Sequence, residues 1–550
     1  MVGAPNANTL FYGDNLDILR QHVADESVDL VYLDPPFNSN ATYNVLFRSP
    51  TGEQSAAQIE AFDDTWHWNL AAEKAFDEVV QSGNSDAASV IIAIRSFLGE
   101  NDMMAYLAMM AVRLIELHRV LKISGSLYLH CDPTASHYLK ILLDAIFGPD
   151  RFTGEIVWKR YGAHNDSKTY GRIHDIILYY NKSNTFTFNK QYEAYSEEYV
   201  KERFRFTDPD GRRWAEQNLA SPNPRPNLTY PFKARNGIIY DPPPNGWKYT
   251  ADRMRELDDN NGLHYPAREG GRLRLKNYFD ERAGVPVQDV WTDLTSIGGT
   301  SPERLGYPTQ KPVALLERLL AASSNEEDVV LDPFCGCGTT IHAAQKLKRR
   351  WLGIDVTHLA IGLIQRRLTD AFPMVQYEVV GVPKDVSSAS ALALADKYEF
   401  QKWALSMVEA QPYKGGKKGA DGGVDGYIYF KPDGKKTEKA IVSVKGGNHV
   451  SDTMIKDLIT TVDHEGAKIG VFITLSPATK PMISRAATAG FYKPDSEFSK
   501  LSGATYPKIQ ILTIEDLFNG KKPHMPWIDA TAFKKAKVEQ GAKAQGTLDL

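Results

Sequence analysis

Twice in this chain a short apolar run ends in Asp-Pro: VDLVYLDPPF at 28–37 and VVLDPFCGCGTT at 329–340. Runs of this length, flanked by polar segments, read as buried strands, and each passes straight into a turn. The first belongs to an alternation of strand-like and helix-like patterns over residues 1 to about 150. It includes a helical stretch from Met103 to Leu121, the apolar run SLYLHCD at 126–132 and a helix at 134–147. The second opens the same alternation again from about 301, with a helix at 312–323, strands at 328–334 and 351–356, and a helix from about 339 between them. Alternation of this kind specifies an α/β sheet covered by helices, so the two separated halves are expected to build one sheet.

Between the halves, 151–300 is rich in Pro, Gly, Arg and aromatics with little periodicity, as in RFRFTDPDGRRW (203–214) and SPNPRPNLTYPF (221–232). That composition suits an irregular insertion or a recognition region. Residues 201–290 hold 16 Lys+Arg against 13 Asp+Glu, so the interleaved aromatics point to nucleic acid more than the charge does. Past about 378, the segment GVPKDVSSASALALAD reads as a linker into a further α/β unit. The expected boundaries are 1–150, 151–300, 301–378, a linker at 379–396, a second unit at 397–520 and a Lys-rich tail at 521–550.

A chain of 550 residues is expected to split into two or three domains, since one domain holds roughly 100–200 residues. Its net charge of -4 excludes a uniformly basic coat, so a DNA surface must come from local clusters. Cys131, Cys335 and Cys337 are an odd set with two members one residue apart, which suits a reducing cytoplasm and no disulfide framework. No segment approaches the roughly 20 apolar residues that span a bilayer, and no membrane partner is expected. The most apolar stretch, 105–121, carries Arg113 and Glu116 and reads as a core helix.

In LDPFCGCGTT, a strand ends in a turn where Gly336 and Gly338 let backbone approach a ligand, and a helix N-terminus follows. Asp355 ends the next apolar strand about 20 residues on, the place of an acid that grips ribose hydroxyls. No Gly-Lys-Ser/Thr follows, so a cofactor with a ribose and an amino-acid carboxylate fits better than one with a pyrophosphate. A plain tight turn is the bland alternative.

Asp34-Pro35-Pro36-Phe37 follows its strand at the end where open α/β sheets place their sites. The bland alternative is a Pro-Pro strand terminator. The chemical alternative is specific. The amine of adenine or cytosine is a poor nucleophile because its lone pair is delocalised into the ring. The Asp34 carboxylate and Pro35 carbonyl would accept its hydrogens and help localise that pair for attack on a sulfonium methyl. Phe37 would stack on a base rotated out of the duplex.

The motifs GDNLDIL (13–19), SVDLVYLDPPFNSN (27–40), EIVWKR (155–160) with HDIILYY (174–180), YPTQKPVALLERLL (307–320) and LDPFCGCGTT resemble, in this order, the DNA amino-methyltransferases in their β arrangement. The resemblance covers about 1–375. It implies a Rossmann-like sheet in which 1–150 is the catalytic half, 151–300 the target-recognition insertion and 301–378 the half that binds S-adenosylmethionine. It further implies double-stranded DNA as substrate and a homodimer. Asp332, Phe334, Gly336, Gly338 and Thr339 would line the cofactor pocket, with Asp355 on the ribose, Asp14 near the adenine, and Thr309 and Lys311 near the methionine end. Trp158 and Lys159 would touch DNA, with core packing an equal alternative for Trp158. His174, Asp175 and His67 stay unassigned. Asp at the first motif position points to adenine N6; cytosine N4 remains the alternative.

Within 397–520, GADGGVDG (419–426) leads through YIYF to AIVSVKGG (440–447), which resembles Mrr-type restriction endonucleases of the PD-(D/E)xK fold. That resemblance implies Asp425 as a Mg²⁺ ligand, Lys445 as the lysine and Asp421 as a supporting acid. The family pattern wants Glu or Gln two residues before the lysine, and this chain has Ser443; Glu409 is a candidate substitute. Two further expectations stand beside a fused modification-and-restriction enzyme. One is a Mg²⁺-dependent endonuclease whose other half serves recognition. The other is a cytosine methyltransferase with an inactive DNA-binding C-terminal unit.

Overall fold

The computed structural model describes residues 7–36, 67–162, 169–268, 270–298, 301, 303–305, 307, 309–413, 423–432, 437–447, 449–495 and 503–526. The main sheet has nine strands: β1 (Thr9–Tyr12), β2 (Val28–Leu33), β3 (Leu121–Cys131), β4 (Phe152–Lys159), β5 (His174–Asn181), β6 (Val290–Trp291), β7 (Val329–Asp332), β8 (Arg350–Asp355) and β9 (Glu378–Val380). Their spatial order is β6-β4-β5-β3-β2-β7-β8-β1-β9. Every pairing is parallel except the two made by β5. The two halves of the sequence therefore meet where β2 lies beside β7, with Leu30 opposite Val330.

The strands are short and apolar because helices cover them. Those that matter below are α1 (Asn15–His22), α2 (Leu70–Gln81), α3 (Ser85–Leu98), α4 (Asp102–Val120), α5 (Ser136–Phe147), α6 (Val313–Ser323), α7 (Thr339–Lys346) and α8 (His358–Ala371). A single apolar cluster joins residues of β2, β3, β5, β7 and β8 to α1 through α5. The one acid inside β2, Asp29, accepts from Lys122 Nζ and from the Val329 N–H at 2.9 Å, so it ties β2 to both neighbouring strands. No helix among the described residues is long and apolar enough to cross a membrane.

The region expected to be irregular from 151 starts later than that. Residues 152–159, 174–181 and 290–291 are strands of the main sheet, and Lys190–Gln288 forms a compact unit of its own. In this unit a four-stranded sheet orders Leu263–His264, Arg274–Tyr278, Arg213–Asn218 and Phe206–Thr207 over a core that includes Phe232, Trp247 and Met254. Its strands are two to six residues long, too short to print a period on the sequence.

The C-terminal sheet contains β10 (Gln411–Pro412), β11 (Gly426–Phe430), β12 (Glu438–Lys445), β13 (Ile469–Thr474) and β14 (Ile509–Thr513), in that order. The segment 379–396, expected as a linker, carries helix α9 (Val386–Ala395), followed by α10 (Lys397–Met407). A small-residue helix reads as a flexible spacer by composition, but Ala389 is fully buried in the C-terminal core beside Phe400 and Trp403.

Candidate active site

Because β1, β2, β7 and β8 are parallel, their C-terminal ends share one edge of the sheet. Each end delivers an acid: Asp14 after β1, Asp34 after β2, Asp332 closing β7 and Asp355 closing β8. Four carboxylates from distant parts of the sequence thus converge by topology alone.

The glycine turn after β7 is built to be close-fitting. Gly336 and Gly338 take φ of +50° and +73°, and a Cβ on Gly338 would lie 2.8 Å from the Ile364 side chain of α8. The Gly336 N–H donates to Asp355 at 2.9 Å, and the Thr357 N–H and hydroxyl donate to its other oxygen at 2.9 and 2.8 Å. Burial nevertheless pushes Asp355 up to about 6 against these bonds. Burial likewise raises Asp332 to about 7, although it accepts the Phe334 N–H at 3.0 Å. Thr339 opens α7, buried, with its hydroxyl taking a bond from Arg367 at 3.1 Å. Thr309 is exposed in the turn before α6.

Asp14 caps α1 by accepting the Leu16 N–H at 2.8 Å and pairs with Arg113 at 2.7 Å. Arg113, 5 % exposed inside α4, also donates to Asn15 at 2.6 Å, and Asn15 donates to the Pro333 carbonyl at 2.9 Å. One buried guanidinium therefore ties the end of β1 to α4, and Asn15 links it on to the turn after β7. Sequence reasoning placed Arg113 only as a charge in a core helix; a buried arginine with no apolar role was the signal available.

At Asp34-Pro35-Pro36-Phe37, Pro35 is buried and Asp34 and Pro36 are half-buried; Phe37 lies outside the described residues. The ammonium of Lys311, just before α6, pairs with Asp34 Oδ2. Lys311 thus meets Asp34, a contact its place in the sequence did not foretell. Trp158 is packed in the core rather than displayed on a surface: it is 1 % exposed, and its indole N–H donates to the Leu294 carbonyl at 2.6 Å. Lys159, its neighbour, points outward and is exposed. His67 forms an exposed pair with Asp102 at 2.9 Å, and His174 opens β5.

In the C-terminal unit the loop before β11 brings Asp425 against the end of β12. Its carboxylate accepts the Val444 N–H at 2.6 Å, the Ser443 hydroxyl at 3.3 Å and Gln401 Nε2 of α10 at 2.6 Å, with Lys445 Nζ at 3.6 Å. Asp421 lies outside the described residues. Glu409 does not supply a second carboxylate: it pairs with Arg366 of α8 at 3.2 Å. Among the described residues no group of three or more His, Cys, Asp or Glu side chains could hold a metal ion. Among the described residues Asp425 brings one already hydrogen-bonded carboxylate to this place, and a Mg²⁺ site wants several oxygen ligands.

A DNA methylase family profile matches residues 28–366, and a restriction endonuclease profile matches 392–490. The type II methyltransferase M.EcaI of Enterobacter cloacae is 27 % identical over 72 % of this chain and 76 % of its own length. The Mod subunit of the type III restriction-modification enzyme StyLTI of Salmonella typhimurium is 26 % identical over 62 % of this chain and 50 % of its own. Among solved structures, the cytosine-N4-specific PvuII DNA methyltransferase is 12 % identical, with a TM-score of 0.30, over 66 % of this chain and 86 % of that one. With more than half of its length matched, the chain belongs to the DNA methylase family of N6 and N4 amino-methyltransferases and carries a C-terminal restriction-endonuclease-like domain.

Proposed function

We propose that this chain methylates adenine N6 in double-stranded DNA with S-adenosylmethionine as donor. The observation that carries the proposal is the shared sheet edge. There Asp34 and the Pro35 carbonyl stand beside a turn stripped of side chains at Gly336 and Gly338, under Asp355.

The donor set suits this cofactor. Asp355 offers Oδ2, engaged by the Gly336 N–H, to the ribose hydroxyls while Thr357 occupies Oδ1, Asp14 stands at the end of β1 toward the adenine, and Asp332, Phe334 and Thr339 complete the wall. Thr309 and Lys311 face the methionine end. Bound there, the cofactor supplies an electrophilic methyl on a sulfonium sulfur. The chain's own residues do the rest. Asp34 and the Pro35 carbonyl accept the two N–H groups of the target amine, which aims its nitrogen at that methyl. Asp34 would accept the proton that the amine gives up once its nitrogen carries the methyl. In the structure Lys311 donates to Asp34 Oδ2, and the carboxylate has further acceptor sites for an amine N–H. Pro35 and Pro36 hold the acceptors still, and Phe37 would stack on the rotated base.

Asp at the first motif position favours adenine over cytosine. Labelled S-adenosylmethionine with genomic DNA, followed by modified-base sequencing, tests transfer, base and site together. Label in N4-methylcytosine would overturn the adenine assignment, and transfer that survives Asp34→Ala would overturn the role of Asp34. A homodimer is proposed from the resemblance alone, and sedimentation reads it. For the C-terminal domain, the engaged Asp425 and the hydroxyl at Ser443 favour DNA binding without cleavage.

A further inference from the structure

A buried polar chain lies along the catalytic edge, and the reaction above leaves it unused. Tyr32, two residues before Asp34, places its hydroxyl 2.9 Å from His130 Nδ1 on β3. His130 Nε2 lies 2.9 Å from Asp175 Oδ2 on β5, and Asp175 Oδ1 accepts from Arg160 Nη1 just past β4 at 2.9 Å. The side chains of His130 and Asp175 are 0 % and 2 % exposed. Trp158 stands edge-on to the His130 ring at 5.7 Å, which fixes the ring plane from the β4 side.

The direction of each bond follows from donor inventory. Burial, with the positive charge of Lys311 nearby, lowers the His130 pKa and keeps the ring neutral, with one donor and one acceptor nitrogen. Burial pushes Asp175 up, but the hydrogen bond from His130 and the charges of Lys311 and Arg160 outweigh it and hold the acid at about 2. Asp175 is acceptor only, so Nε2 carries the proton and Nδ1 accepts from Tyr32. The chain thus runs Tyr32 to His130 to Asp175, with Arg160 closing it. Charged groups are expensive to bury, and an apolar set of equal volume would fill the same space at less desolvation cost. The chain ends two residues from Asp34, and its histidine feels the charges of Lys311 and Asp34.

We infer that Tyr32, His130 and Asp175 are positioning residues for methyl transfer, holding the end of β2 so that the Asp34 carboxylate and Pro35 carbonyl stay aimed at the target amine. The inference rests on the proposed methyl transfer, and its test keeps the two separable.

Tyr32→Phe deletes one oxygen and leaves the packing intact. It is expected to lower kcat about tenfold while the KM for S-adenosylmethionine stays within twofold. Asp175→Asn should do the same. His130→Gln, which retains a donor toward Asp175, should keep more activity than His130→Leu. Hydrogen exchange, which needs no turnover, should quicken in a peptide covering 28–36 of Tyr32→Phe and stay unchanged in one covering 350–355. Wild-type kcat in Tyr32→Phe, or equal loss of cofactor binding and turnover, overturns the inference. Should the wild type transfer no methyl at all, the functional proposal falls, and unchanged exchange at 28–36 then overturns the positioning role independently.

Discussion

Two strand-end aspartates invite the same reading and deserve different ones. Asp34 sits at an edge with three other acids, paired with Lys311, beside a turn that carries no side chain at Gly336 and Gly338. Asp425 also has a lysine, but its carboxylate is tied down by a backbone N–H, a serine hydroxyl and an amide, and among the described residues no group of three or more metal-ligating side chains forms. A site needs acceptor capacity left over for a ligand, and motif spacing does not report that capacity. The first break in this contrast would come from paired variants. Asp34→Ala is expected to reduce methyl transfer by about 10³-fold or more with cofactor binding nearly unchanged. Asp425→Ala should leave transfer within twofold; a large loss there would show that the two sites are not separate.

A sharper version restores what the second site lacks. Ser443→Glu puts a carboxylate beside Asp425, in the place where the endonuclease pattern carries one. The wild type is expected to show no shift in thermal midpoint with MgCl₂ and no plasmid nicking. The variant should gain a Mg²⁺-dependent stabilisation, and nicking should rise about a hundredfold over background. Nicking by the wild type that Asp425→Ala abolishes would reverse the contrast.

The cofactor side of the contrast has a signature in pH. Burial raises Asp332 to about 7, well above the ordinary carboxylate value, so its charged form is a cost to the folded state. For a raised acid, the stability present while it is protonated near pH 4 is lost as the pH rises through about 7. Asp332→Asn should therefore be more stable than the wild type by about 2 kcal/mol at pH 8, and this gain should vanish toward pH 4 in denaturant titrations. The same variant should bind cofactor more weakly, since stability and function pull this residue in opposite directions.

Much of this was legible in the sequence, for physical reasons that differ by region. VDLVYL and VVLD are buried on both faces of a parallel sheet, so they print as apolar runs, and the order of motifs around the insertion placed both halves in one sheet. The acids at the strand ends were visible because a turn follows each. Arg113, His130 and Asp175 were not, because a buried polar network is defined by its partners on other strands, and no local pattern encodes a bond from β3 to β5. The unit at 190–288 escaped for another reason: strands of two to six residues packed through aromatics leave no period. In Trp158 two readings were open, and the hydrogen bond of its indole to Leu294 decided for the core.

One helix touches both sites being compared. Near its start, α10 carries Glu399, which accepts from the Tyr12 hydroxyl at the end of β1 and lies 3.7 Å from His358 Nε2, while Tyr12 and His358 stack at 3.7 Å. Two residues on, Gln401 donates to Asp425. Burial pushes Glu399 up, but the bonds from Tyr12 and Lys402 outweigh it and hold the acid below its ordinary value. A depressed acid contributes stability above its unfolded pKa that is lost as the pH falls through the folded one. Glu399→Gln is expected to cost about 1 kcal/mol at pH 7, a few degrees in thermal midpoint, with the cost shrinking as the pH drops below about 4. Methyl transfer should stay within twofold, because the acid bonds the Tyr12 hydroxyl and lies beside His358 rather than against the four carboxylates at the strand ends. A fall in transfer out of proportion to the loss of stability would show that α10 carries information between Asp425 and the cofactor edge, and the two sites would then have to be understood as one.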